Sequence, residues 1–236
     1  MKRIALIAGA RPNFMKIAPI VRALRDSGRG LAFNIVHTGQ HYDREMNGVF
    51  FEELGIPPPD DCFESGSGTH AEQTAKIMLA FEAYCRACSP DLVLVVGDVN
   101  STLACSIVAR KQRIPVAHVE AGLRSFNRAM PEEINRVVAD RLSTLLFCPT
   151  GMAARNLARE GITEGVHIVG DVMYDAVLWA AERVGSGHHA DRAVEMVPAP
   201  HDPDPDRAGN AADQTEEKGM GLPKRPLAIE QDRQRE

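Results

Sequence analysis

Short apolar runs alternate with longer amphipathic stretches along the first 184 residues, and this alternation limits the possible folds more than any other feature. Strands that are apolar throughout are buried on both faces, and a repeated strand-then-helix order is typical of a parallel sheet covered by helices on both sides. The sequence therefore predicts an α/β domain over residues 1–184. The predicted strands are 3–8, 33–38, 91–97, 115–119, 144–148 and 166–169, and the predicted helices are 14–27, 42–54, 70–88, 101–112, 131–142, 151–160 and 172–184.

Residues 185–236 differ in composition from the rest of the chain. They contain six of the fifteen prolines, and no Phe, Tyr or Trp follows Trp179. A stretch without a sustained apolar period buries too little apolar surface to offset the entropy cost of ordering the chain. We therefore predict a low-complexity, disordered tail over 185–236.

Bulk properties exclude several classes of protein. The net charge of −5 provides no basic surface for nucleic acid. No apolar run approaches the roughly 18 residues that a membrane-spanning helix needs, and the apolar start breaks at Gly9 and Arg11, which favours a first strand over a signal peptide. The five cysteines are scattered and indicate no disulfide framework. We expect a cytoplasmic protein that binds neither nucleic acid nor a membrane.

Two carboxylates stand where predicted strands end. Asp98 and Glu120 each follow an apolar strand, and open α/β sheets bind ligands beyond the carboxyl ends of their strands, so both are candidates for acid–base chemistry. Asp98 either caps the next helix or faces the crevice, and its spacing does not separate the two. Glu120 ends an apolar run and needs a polar partner. His118 and Arg124 are the partners we expect.

Basic residues surround the turn that follows the first strand. Arg11 and Lys16 lie around a predicted helix N-terminus, where side-chain charge and unpaired backbone N–H groups together attract phosphate. A solvated turn with two basic residues is the alternative. The turn lacks the G-x-G-x-x-G motif of dinucleotide-binding proteins. Farther along, Glu132 falls in a predicted first helical turn, where it serves either the helix dipole or the site.

Several short motifs occur together between residue 1 and about residue 180. His118-Val-Glu-Ala-Gly-Leu-Arg124 followed by Pro131-Glu-Glu-Ile-Asn-Arg136 is a highly specific pair. The others are Gly9-Ala-Arg-Pro with Lys16, Thr38-Gly-Gln-His41, Gly97-Asp98 and Gly170-Asp-Val-Met-Tyr-Asp175. Together they resemble the non-hydrolysing UDP-N-acetylglucosamine (UDP-GlcNAc) 2-epimerases.

The resemblance implies an activity and a set of site residues. That family interconverts UDP-GlcNAc and UDP-N-acetylmannosamine (UDP-ManNAc) by eliminating UDP to give 2-acetamidoglucal and then adding UDP back, without a cofactor or a metal. The implied catalytic residues are Asp98, Glu120 and Glu132. The implied substrate-binding residues are Arg11, Lys16, Gln40, His41, Asp98, Glu120 and Arg124.

The resemblance also implies a missing part. The family is built like the GT-B glycosyltransferases, from two Rossmann-like halves with the active site between them, and the likeness here ends near Trp179. We therefore expect an N-terminal half with little or no activity alone. It would pair with itself as a homodimer or with a separately encoded C-terminal domain. A hydrolysing epimerase that releases ManNAc and UDP, a non-catalytic nucleotide-sugar-binding half and an unstable remnant are the alternatives.

Overall fold

The computed structural model describes residues 2–39, 51–66 and 68–185. Strands and helices alternate through these ranges, and residues 51–54 are helical as well. The strands are β1 (Arg3–Ala8), β2 (Ala32–His37), β3 (Asp61–Cys62), β4 (Leu92–Val96), β5 (Val116–Val119), β6 (Leu145–Cys148) and β7 (Val166–Ile168). The helices are α1 (Arg11–Asp26), α2 (His70–Cys88), α3 (Asn100–Lys111), α4 (Pro131–Leu142), α5 (Gly151–Arg159) and α6 (Val172–Gly185).

The predicted elements agree with the observed ones to within three residues wherever both are described. The sequence missed β3, because two residues are too short to show a period. Helix α1 begins three residues earlier than predicted, because the Asn13 side chain accepts hydrogen bonds from the N–H groups of Gly9 (3.2 Å) and Ala10 (2.9 Å). Most of the predicted helix 42–54 lies outside the described residues.

The sheet has the strand order β3-β2-β1-β4-β5-β6-β7, and every neighbouring pair is parallel. The chain moves outward from β1 to β3 and then returns to β4 on the other side of β1. Connections on the two sides of this reversal leave opposite faces of the sheet, so a crevice opens beyond the carboxyl ends of β1 and β4. The prediction of a Rossmann-like parallel sheet with helices on both faces is confirmed.

Alternate residues of β1 show how the two faces are covered. Ile4 and Leu6 pack into a cluster that contains the buried side of α1. Ala5 and Ile7 pack into a second cluster with residues of α2 and α3. Because both faces of the central strands are buried in this way, the strands are apolar throughout and the sheet is held rigidly between the helix layers.

Part of the predicted organisation falls beyond what the structure describes. Residues 186–236, which hold nearly all of the predicted tail, lie outside the described residues, and the boundary at 184/185 stays a prediction. Among the helices of the described ranges, none is long and apolar enough to cross a membrane.

Gly122 provides a first test of the packing around β5. Its φ is +79°, and a Cβ atom there would lie 2.3 Å from the backbone oxygen of Ala153. We expect Gly122→Ala to lower the free energy of unfolding by about 2–4 kcal/mol, from left-handed strain and overpacking together. Gly161→Ala is the matched control, since its φ is +75° but nothing lies within 4 Å. If Gly122→Ala and Gly161→Ala lost equal stability in urea unfolding, the close contact with Ala153 would not be what destabilises Gly122→Ala.

Candidate active site

Two left-handed turns border the crevice beyond β4 and β5. Gly97 has a φ of +67°, which glycine adopts freely, and Glu120 has a φ of +69°, which is strained for a residue with a side chain. Such strain persists only where the surroundings enforce it, and it concentrates at functional sites. The left-handed φ of Glu120 ends the extended backbone of β5 directly after Val119.

Lys16 pairs with Glu120 across the end of β4. The Lys16 Nζ lies 2.6 Å from Glu120 Oε2, and the two side chains are only 19% and 13% exposed. A Cβ atom on Gly97 would lie 3.1 Å from this Nζ, so a larger residue there would press on the Lys16 ammonium group. The expectation that His118 and Arg124 partner Glu120 is therefore wrong. The actual partner is 104 residues away in the chain and is brought close by the strand order.

Asp98 is held by the residues of α4 rather than serving as a cap. Arg136 donates a short hydrogen bond to the Asp98 carboxylate, and Asn135 Nδ2 donates to the Asp98 carbonyl at 2.8 Å. The N-cap of α3 is Val99, without a side-chain hydrogen bond, which settles the alternative left open by the spacing. The Asp98 side chain remains 34% exposed, so it is accessible from solvent.

Adjacent glutamates at the start of α4 have different surroundings. The Glu132 side chain is partly exposed and makes no hydrogen bond with any described residue. Glu133 is 3% exposed and accepts from Ser125 N (3.0 Å), Ser125 Oγ (3.0 Å), Phe126 N (2.9 Å) and Arg136 Nη1 (2.7 Å). Sequence reasoning missed the structural roles of Glu133 and Arg136. Their i, i+3 spacing on a predicted helix was the available signal.

Glu133 provides a pH-dependent test of this clamp. Burial by itself would raise its pKa, but hydrogen bonds from Ser125, Phe126 and Arg136 outweigh burial and lower the pKa. Because the folded-state pKa is lowered, the contribution to stability is present above the unfolded pKa of about 4.3 and is lost as the pH falls through the folded value. We expect Glu133→Gln to cost about 1–3 kcal/mol at pH 7 and clearly less at pH 3, by urea unfolding.

The neighbouring carboxylate supplies the control for that experiment. Glu132→Gln changes a side chain that no described residue binds, one position away on the same helical turn. A loss of stability for Glu132→Gln equal to that of Glu133→Gln would show that the buried hydrogen bonds do not stabilise the loop.

The remaining predicted site residues are placed in three different ways. Arg124 has a side chain that is 1% exposed and donates to Asp140 Oδ2 (2.7 Å) and Glu160 Oε1 (2.7 Å). Arg11 is the first residue of α1 and is exposed at the carboxyl end of β1. Gln40 and His41 lie outside the described residues. Their roles in substrate binding stay predictions.

The arrangement combines an anion-attracting wall with carboxylates. Helix α1 points its N-terminus, with its positive dipole end, at the carboxyl end of β1, and Lys16 adds a cation in its second turn. Asp98 and Glu120 follow the two neighbouring strands β4 and β5. Within the described ranges, no three His, Cys, Asp or Glu side chains are grouped so as to hold a metal ion.

The strand order and the charged crevice at its reversal define a doubly wound α/β protein of the kind that binds its ligand beyond the strand ends. A family model described as UDP-N-acetylglucosamine 2-epimerase matches residues 22–199. The chain therefore belongs to the UDP-N-acetylglucosamine 2-epimerase family.

Curated relatives agree with this family assignment, and each is matched over only part of its own length. A UDP-N-acetylglucosamine 2-epimerase homolog from Methanococcus maripaludis is 50% identical over 182 residues, which are 77% of this chain and 50% of that protein. A UDP-2,3-diacetamido-2,3-dideoxy-D-glucuronate 2-epimerase from Pseudomonas aeruginosa is 46% identical over 187 residues, 78% of this chain and 52% of the relative. The chain thus spans about half the length of the curated relatives it matches.

A solved structure matches the fold over the same part. The UDP-GlcNAc 2-epimerase of Methanocaldococcus jannaschii, in complex with UDP-GlcNAc and UDP, superposes with a TM-score of 0.75 at 44% identity. The match covers 82% of this chain and 52% of that one.

Proposed function

We propose that this chain forms one wall of a UDP-GlcNAc 2-epimerase site, the N-terminal half of a GT-B-like cleft, and acts in the cytoplasm. The observation that carries the proposal is the partly buried Lys16–Glu120 pair, whose glutamate lies in a strained turn directly after β5. The pair places a cation that can bind a diphosphate beside a carboxylate that can transfer a proton. The reaction requires both diphosphate binding and proton transfer.

The proposed reaction needs a leaving group held in place and a proton moved at one carbon. A carboxylate removes the proton from C2 while the C1–O bond breaks and its electron pair leaves with UDP, giving 2-acetamidoglucal. UDP then adds back to C1, and a proton returns to the opposite face of C2. Asp98, Glu120 and Glu132 are the candidates for the proton transfers.

Substrate binding is proposed to begin at the diphosphate. Arg11, Lys16 and the N-terminus of α1 attract its negative charge, and Gln40, His41 and Arg124 are the further predicted binding residues. The described residues form one side of the crevice. A second wall, from a partner domain or a second copy of the chain, would exclude water and strengthen the electrostatic interactions.

The deciding experiment incubates the purified chain with UDP-GlcNAc in deuterated water and follows C2 by proton NMR. We expect deuterium at C2 and slow formation of UDP-ManNAc, detected over hours at high protein concentration because the described residues form only one side of the crevice. Free ManNAc with UDP would indicate the hydrolysing alternative. No exchange from a folded chain that binds UDP would leave a non-catalytic binding half.

The identity of the sugar forms a second question at the same site. The Pseudomonas relative is named for a 2,3-diacetamido glucuronate sugar and is nearly as similar as the UDP-GlcNAc 2-epimerase homolog. UDP-2,3-diacetamido-2,3-dideoxy-D-glucuronate should therefore be tested in parallel. Faster C2 exchange with it than with UDP-GlcNAc would reassign the substrate within the same reaction class.

Lys16 gives a binding test that does not depend on turnover. We expect Lys16→Met to weaken the binding of UDP to the chain by about 10- to 100-fold, the loss of one charge-assisted hydrogen bond, measured by titration calorimetry. Lys111→Met, an exposed lysine at the end of α3, is the matched control. Equal affinities for wild type and Lys16→Met would remove Lys16 from the diphosphate site.

A further inference from the structure

A buried histidine on β5 connects helix α4 to the turn that presents Asp98. The His118 side chain is fully buried, with Nε2 2.8 Å from the carbonyl oxygen of Gly97 and Nδ1 2.6 Å from Asp140 Oδ1. A carbonyl oxygen only accepts hydrogen bonds, so Nε2 carries a proton and donates it. The ring is thus fixed from both sides and closed to any substrate.

Asp140 is in turn fixed by two further donors. Its Oδ2 accepts from Gly122 N at 3.1 Å and from Arg124 Nη1 at 2.7 Å. Arg124 also binds both carboxylate oxygens of Glu160, at 2.7 and 2.8 Å. The carboxylate that orients His118 therefore cannot rotate without breaking several buried hydrogen bonds, each costly to leave unmade.

The same helix reaches the Gly97–Asp98 turn by a second route. One helical turn before Asp140, Arg136 binds the Asp98 carboxylate and Asn135 binds the Asp98 carbonyl. Through His118, Asp140 fixes the carbonyl of Gly97. Consecutive peptide groups of the turn are therefore tied to one rigid element, α4, from both sides.

We propose that His118, oriented by Asp140, is a positioning residue that fixes the Gly97 carbonyl and so aims Asp98 into the crevice. The effect of His118 on catalysis rests on the proposed function, whereas the effect of His118 on the turn does not. A histidine that merely satisfies Asp140 would leave the turn unchanged when replaced. Replacing a positioning histidine would instead displace the turn and Asp98 with it. A catalytic side chain displaced by about 1 Å can lower a rate about 100-fold.

The test uses NMR on the labelled 236-residue chain. In the wild type we expect a His118 Nε2–H that is protected from solvent exchange and shows scalar coupling across the hydrogen bond to the Gly97 carbonyl carbon. We expect His118→Leu to shift or broaden the amide signals of residues 97–99. His118→Gln, whose amide can still donate to Gly97, should return these signals toward the wild type.

The control is His167→Gln, which replaces an exposed histidine on β7 and should leave the amide signals of residues 97–99 unchanged.

Where C2 exchange is measurable, His118→Leu should lower kcat about 100-fold with KM little changed, and His118→Gln should recover part of the loss.

Two results would overturn the proposal: no protected Nε2–H coupled to Gly97, or wild-type amide signals at 97–99 in His118→Leu. Should His118→Leu fail to fold, the Nε2–H signal and the His118→Gln spectrum still decide. A chain with the coupled Nε2–H and displaced variant signals but no C2 exchange would contradict the proposed function and leave the positioning role intact.

Discussion

An Asp140→Ala variant is expected to be less stable than the wild-type chain by about 3–5 kcal/mol in urea unfolding at pH 7. Asp140 is buried and accepts hydrogen bonds from His118, Arg124 and the N–H of Gly122. Removing its carboxylate leaves the Arg124 guanidinium, whose side chain is almost fully buried, with an incomplete set of partners. Breaking a buried ion pair from one side is costly because the remaining charge stays out of water.

The pH dependence of this loss has a definite sign. Burial by itself would raise the pKa of Asp140, but His118 and Arg124 outweigh burial and lower it. The stabilisation is then fully present above the unfolded pKa of about 3.9 and is lost as the pH falls through the lower folded value. The difference between the wild type and Asp140→Ala should therefore narrow in acid.

Glu82→Ala is the control for Asp140→Ala. It breaks an exposed i, i+4 pair with Arg86 at 2.9 Å, which should cost less than about 0.5 kcal/mol. If Asp140→Ala lost no more stability than Glu82→Ala, the buried network would not be what holds α4 against the end of β5.

A Glu120→Gln variant is expected to incorporate deuterium at C2 of UDP-GlcNAc about 100- to 10,000-fold more slowly than the wild type. The amide keeps nearly the same shape and can still accept a hydrogen bond from Lys16, but it cannot take up the C2 proton. Because Lys16 remains in place, the affinity for UDP should fall little or rise. The comparison of exchange rate with UDP affinity therefore separates proton transfer from binding.

Glu164→Gln supplies a carboxylate control, since Glu164 is exposed in the turn before β7. Exchange that continues at the wild-type rate in Glu120→Gln would assign the proton transfers to Asp98 and Glu132. A variant with slow exchange and equally weakened UDP binding would make Glu120 a residue that acts through Lys16.

The sheet was predictable because its signal is local. The strands β1 and β4 are apolar at nearly every position, and burial on both faces leaves no room for alternation. The two-residue β3 was not predictable, since its pairing with β2 shows only in the register of Val36 with Asp61. A strand of this length is decided by the neighbour it lies beside.

The candidate site was only partly predictable. The positions of Asp98 and Glu120 at strand ends followed from the sequence, but the partner of Glu120 did not. Both expected partners, His118 and Arg124, instead bind Asp140. Nearness in sequence was a poor guide, because Asp140 takes both neighbours of Glu120 while Lys16 of α1 pairs with its carboxylate.

The sequence by itself determined the alternation of strands and helices, the family to which its motifs point and the carboxylates at the strand ends, because each of these depends on neighbouring residues. Only the tertiary structure decided the pairing of Lys16 with Glu120 and the hydrogen bonds that connect α4 to Gly97 and Asp98. Those contacts join residues 21 to 104 positions apart. They exist because the strand order reverses at β1 and β4 and brings the ends of distant elements to one edge of the sheet.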